Sequence, residues 1–113
     1  MKQFILEKIE EFLLELGYGF TYVGSEYKLG KFKCDLLFFN YELNSFIVIE
    51  LKIRRLKPSD IGQIKLYMNY IDTNIKKNHM NKTIGIILCK EDDEIIIKYI
   101  TDDRMLSSTY EFI

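Results

Sequence analysis

Cys34-Asp35-Leu36-Leu37-Phe38-Phe39 and Ile47-Val48-Ile49-Glu50-Leu51-Lys52 are two strongly apolar, strand-like runs, each carrying charge where the core of a strand should not tolerate it. An unpaired buried charge is costly and finds a partner or neutralises. The side-chain period of two in a strand puts Glu50 and Lys52 on one face and Ile49, Leu51 and Ile53 on the other. If the runs form an antiparallel hairpin around Asn40-Tyr41-Glu42-Leu43-Asn44-Ser45, a simple register pairs Phe39 with Phe46 and Leu37 with Val48. Asp35 then faces Glu50 at a Cβ separation of roughly 5 Å. Two carboxylates and an ammonium converge at one end of a buried hairpin.

Carboxylates this close either share a proton or hold a cation between them. Mg²⁺ suits such a place: it prefers oxygen, takes one or two protein carboxylates, and leaves positions for water and substrate phosphate. It would activate water and stabilise charge on a phosphoryl group. Lys52 could orient that water or offset developing charge, and the backbone carbonyl of Leu51 could add an oxygen ligand. Spacing alone leaves an equal alternative, in which Asp35, Glu50 and Lys52 are a structural ion cluster at a strand end.

Working outward, Gln3 to Leu16 has apolar residues at helical spacing (Ile5, Ile9, Phe12, Leu13, Leu16) and stops at Gly17. Phe20 to Leu29 reads as a strand ended by Gly30. The near-continuous apolar character of the hairpin strands says that both sheet faces are covered. Pro58 fits the first turn of a second helix, in which Ile61, Ile64, Met68, Ile71 and Ile75 form the apolar stripe. Gln63 and Tyr67 share a neighbouring stripe, where by pattern alone they are packing residues. Thr83 to Cys89 and Glu94 to Ile100 read as strands, followed by a short tail through Tyr110. The expected order is α-β-β-β-α-β-β in a single domain over residues 1–113, an α/β domain with a mixed sheet flanked by helices.

Composition is ordinary for a globular domain, with 48% hydrophobic and 29% charged residues. No apolar run approaches the roughly 20 residues of a membrane span. The N-terminal stretch, with Glu7, Glu10 and Glu11, lacks the plan of a signal peptide, so a cytoplasmic protein with no membrane partner is expected. Cys34 and Cys89 lie in apolar runs without CxxC or Cys/His company and read as reduced core thiols. His79, the only histidine, supports no Ser/His or Cys/His pairing. A net charge of −1 argues against a polycation, but Lys52, Arg54, Arg55 and Lys57 cluster after the carboxylates, and Lys76, Lys77 and Lys82 form a second group. The first group reads as a solvated strand end or as phosphate contacts.

Asp35 followed by Glu50-Leu51-Lys52 resembles the PD-(D/E)XK nuclease signature. Cys34 to Phe39, Val48 to Ile53, Leu56-Lys57-Pro58, Gly62-Gln63 with Tyr67, and Ile84 to Lys90 are together similar to the nuclease domain of the DUF1016 (YhcG-like) family. Glu11 to Gly17 and Phe20 to Gly24 extend the similarity, which runs from about Phe12 to Tyr99. Cys34 stands where the signature has proline, and full-length relatives usually carry a large N-terminal region. The resemblance implies a restriction-endonuclease-like core and a Mg²⁺-dependent endonuclease acting on DNA, with Mn²⁺ as a substitute. It implies metal ligation by Asp35, Glu50 and Leu51, with Lys52 acting on water and support from Gln63 and Tyr67. From the first helix, Glu15 fits the family pattern as a further metal ligand, with Glu11 as its rival; Glu26 is a weaker candidate. A homodimer is compatible with two-strand cutting, and a partner domain or protein could supply substrate recognition. The alternatives are a catalytically silent nucleic-acid-binding or assembly domain of the same fold, and a nuclease acting on RNA or branched DNA.

Overall fold

The expected hairpin is the centre of the sheet. Strand β2 (Phe32–Asn40) and strand β3 (Ser45–Leu51) run antiparallel with Phe39 opposite Phe46, Leu37 opposite Val48 and Leu36 opposite Ile49. The turn is built by Asn40, whose side-chain oxygen accepts from the Glu42 and Leu43 N–H groups at 3.0 Å each. This local bonding is why asparagine favours turns, and it fixes the register. The computed structural model describes residues 18–52, 54–92, 94–101 and 105–110. The helix expected over Gln3 to Leu16, with its glutamates, lies outside the described residues, as does Ile53.

Strand β1 (Phe20–Leu29) joins β2 through a two-residue connection, Gly30-Lys31, with Leu29 opposite Phe32. Gly30 has φ +64, and an added Cβ there would lie 2.9 Å from the Tyr70 ring, so both the turn and its packing demand glycine. After β3 the chain crosses over through helix α1 (Pro58–Asn74) into strand β4 (Ile84–Glu91), which lies parallel to β3. Parallel neighbours need such a crossover. Pro58 stands at the helix start as expected, and Ile64, Tyr67, Met68 and Ile71 form its buried face. At Gly85, an added Cβ would lie 2.8 Å from Met68 Sδ, so helix and sheet meet closely there.

Strand β5 (Glu94–Ile100) pairs antiparallel with β4, and β6 (Met105–Tyr110) pairs antiparallel with β5. The sheet order is β1-β2-β3-β4-β5-β6, mixed, with the single parallel pair at β3/β4. The tail is therefore a sixth strand, which its polar Ser107-Ser108-Thr109 centre concealed. An edge strand draws on backbone pairing more than on side-chain propensity. Of the two flanking helices expected, the one within the described residues is α1.

Two apolar clusters cover the sheet. Leu37, Val48, Ile87 and Cys89 meet α1, whereas Leu36, Phe38, Ile49, Leu51 and Leu88 form the opposite face. Strict alternation would put Cys34 with Leu36, yet Cys34 joins Leu37 on the helix side. The strand changes face at Asp35. Across from it in register, between Ser25 and Tyr27, Glu26 holds a left-handed φ of +46. Such a backbone is uncommon for a residue with a side chain and marks a local kink.

Candidate active site

Continuing the β2–β3 register by one residue sets Asp35 across from Glu50, and here side chains take over from the ladder. The Asp35 N–H donates to Glu50 Oε1 at 2.8 Å, and the Leu51 N–H donates to Asp35 Oδ2 at 2.8 Å. Each carboxylate is thus clamped by the backbone of the other's strand. Both are buried, Asp35 at 9% and Glu50 at 5% exposure. Lys52 N–H bonds Leu88 O on β4 at 2.7 Å, so alternation turns the Leu51 backbone toward Asp35.

The electrostatics of the pair are unbalanced. Burial, then the negative charge of Asp35, pushes the Glu50 carboxyl up to about 7; the Asp35 N–H and the Lys52 ammonium pull the other way without winning. A hydrogen bond between the two carboxyl groups adds to the rise, so in the absence of a cation the dyad holds a proton near neutrality. A small, oxygen-preferring divalent cation would replace that proton. The Asp35 and Glu50 carboxylates, with the Leu51 backbone beside them, are the groups that could hold it. Among the described residues, no group of three or more Asp, Glu, His or Cys side chains gathers as a metal site, so these two carboxylates are the acidic donors available there.

Tyr67 comes to the same place from α1. Its hydroxyl is pushed above its ordinary value by burial and then by its negatively charged neighbours, Glu50 first, so it stays protonated within reach of the dyad's charge. Gln63, one helical turn earlier, is half-buried on the same stripe. Lys52 is half-buried, and its charge reaches Glu50. Cys34 is pushed up to about 12 by burial and by Glu50, which makes it an inert thiol. Both cysteines are free and buried, as their apolar settings suggested. Glu15 and Glu11 lie outside the described residues, and Glu26 is exposed.

One polar residue of consequence escaped the sequence reading. Asp60 is buried at 4% exposure and accepts both arms of the Arg54 guanidinium, at 2.8 and 2.9 Å. It also accepts the Lys57 N–H at 2.8 Å, capping the helix. The Arg54 guanidinium holds its carboxyl below the usual range. Lys90 N–H bonds Arg54 O at 3.0 Å, so the segment after Lys52 is tied to both α1 and β4. Asp at the third helical position after Pro58 was a legible capping signal; the arginine partner was not.

A buried Asp and Glu-x-Lys at the end of a β-hairpin, followed by a helical crossover to a parallel strand, describe a restriction-endonuclease-like nuclease fold. Solved structures share it. A repair endonuclease from Pyrococcus abyssi matches with TM-score 0.56 and 19% identity over 72% of this chain and 35% of its own. The endonuclease of an EndoMS–dsDNA complex matches with TM-score 0.54 and 21% identity over 74% and 36%. The chain belongs to the YhcG PDDEXK nuclease domain family, whose model matches residues 1–112. It is 34% identical over 91 residues to the "Putative nuclease YhcG" of Escherichia coli K12, covering 77% of this chain. The chain spans about a quarter of that relative's length, 24%.

Proposed function

We propose that this domain is a metal-dependent endonuclease that hydrolyses DNA phosphodiester bonds. The observation that carries the reading is the buried Asp35–Glu50 dyad, cross-clamped by backbone N–H groups, with Glu50 shifted to about 7 beside Lys52. In this reading Asp35, Glu50 and the Leu51 carbonyl hold Mg²⁺, or Mn²⁺ in its place, and Glu15 of the N-terminal segment adds a ligand. The ion would lower the pKa of a water and draw charge from a phosphate oxygen.

The remaining work falls to the chain's own groups. The fixed carboxylates keep their oxygens aimed without reorganisation, which is the preorganisation that electrostatic catalysis requires. Lys52 stands next to them to orient the attacking water and offset charge on the phosphoryl group. Tyr67, kept protonated, offers a hydroxyl donor, and Gln63 supports it from the preceding turn. DNA is favoured as substrate because a neighbour of the same fold is described in a complex with double-stranded DNA.

Cleavage of supercoiled plasmid and of single strands with Mg²⁺ or Mn²⁺, against EDTA and Lys52→Ala, tests this. Metal-dependent cutting that Lys52→Ala abolishes is the expected result. A folded chain that binds nucleic acid equally in EDTA and never cuts would make it a silent binding domain; cutting of RNA or branched DNA alone would reassign the substrate.

A further inference from the structure

The antiparallel pairing of β1 and β2 brings three lysines that are scattered among apolar residues in the sequence to one hairpin tip. Lys28 stands directly opposite Lys33, and Lys31 occupies the connecting turn. All are exposed, and they take part in neither of the ion pairs Arg54–Asp60 and Lys98–Glu91. Like charges facing across a ladder are destabilising, so the tip is a place that gains from an anion. Lys33 lies two residues from Asp35, about 7 Å along the strand. The tip and the dyad therefore share one end of the sheet.

Several other basic groups are placed differently. Arg54 is committed to Asp60. The segment carrying Lys76, Lys77 and Lys82 is tied to the β2–β3 turn: Asn81 N–H bonds Asn44 O at 2.8 Å, and Asn44 bonds His79 O. That turn is five residues from Glu50, about 17 Å along the strand. On the far side of the dyad, the β4–β5 turn at the same end of the sheet carries Glu91, Asp92 and Glu94. The end of the sheet is thus basic toward β1 and acidic toward β5.

We propose that Lys28, Lys31 and Lys33 form the phosphate-gripping surface of this domain, holding nucleic-acid backbone on the β1 side of the dyad. The inference rests on the nuclease reading and adds where the substrate lies. Phosphate contacts position a nucleic acid without reading its sequence, and each one removed lowers the dependence of binding on salt.

The test is fluorescence anisotropy of a labelled DNA duplex in EDTA across a KCl series. The Lys28→Ala/Lys31→Ala/Lys33→Ala variant should weaken binding at least tenfold at moderate salt. It should also flatten the slope of log K against log salt by about 2 to 3. The triple Lys→Arg variant should keep both affinity and slope, and it guards against loss through misfolding. Lys76→Ala/Lys77→Ala should bind like the parent. An unchanged slope in the folded triple alanine variant, or a loss in the far-end variant instead, overturns the surface. Plasmid cleavage by the parent, run in parallel, separates the two failures. A parent that cuts while the triple variant binds normally sinks the surface alone; a parent that neither binds nor cuts sinks the nuclease reading with it.

Discussion

Two buried acidic clusters lie ten residues apart in sequence, Glu50 with Asp35 and Asp60 with Arg54, and they have opposite electrostatics. Asp60 is satisfied: a bidentate guanidinium and a backbone N–H hold it ionised and below its usual range. Glu50 is not: burial and a second carboxylate raise it to about 7, and Lys52 alone does not balance the pair. A charge already matched by protein is a strut. A buried pair of like charges is a place that a cation would stabilise, and perturbed groups of that kind gather at functional sites.

Substitutions can break this contrast. The largest effect is expected in the rate of plasmid nicking, which should fall 10²–10³-fold or more, by roughly 3–4 kcal/mol of barrier, in Lys52→Ala. Asp60→Asn should cut at a rate much closer to wild type; equal losses in the two would erase the distinction.

Next comes stability in EDTA. Between the ordinary Glu50 value of 4.5 and about 7, the folded chain holds a proton that the unfolded chain has released. Stability therefore falls as pH rises through that window and levels off above it. Glu50→Gln should remove the slope and, at pH 8, gain on the order of 2–3 kcal/mol in urea melts. Mg²⁺ should restore stability to the wild type and not to the variant. A Glu50→Gln protein that is weaker than wild type and indifferent to metal would make the dyad a second strut.

The sign reverses at Asp60. Its lowered value means that its contribution is present above the ordinary 3.8 and is lost as pH falls below it. Asp60→Asn should cost about 1–2 kcal/mol at pH 7 from the weakened helix cap, with the difference from wild type shrinking in acid. Smallest of all should be the effect of a thiol reagent. With Cys34 pushed up to about 12, native protein should resist iodoacetamide at pH 8 and react once unfolded. Prompt native labelling would show the dyad's surroundings to be open.

Much of the site was readable because it is built from local patterns. The hairpin register followed from the spacing of Phe39, Phe46, Leu37 and Val48 about an asparagine turn, and the structure shows the same pairs. Pro58 marked the start of α1, and Tyr67 falls on its buried face. What was missed is non-local. The face change that puts Cys34 on the helix side lies across from the left-handed Glu26 of a neighbouring strand, and the sixth strand forms by backbone pairing with β5. Counting charges along the chain also grouped Arg54 with Lys52 and Lys57 and passed over Lys28, Lys31 and Lys33.

The sequence by itself determined the hairpin, the opposition of Asp35 and Glu50, and the helix that carries Gln63 and Tyr67, because side-chain period, turn chemistry and helix starts act over a few residues. Only the tertiary structure decided that Glu50 titrates near neutrality, that Asp60 claims Arg54, and that the basic tip of β1–β2 shares an end of the sheet with the dyad. Burial and Coulombic pairing depend on distances in space, and packing rather than spacing along the chain sets those distances.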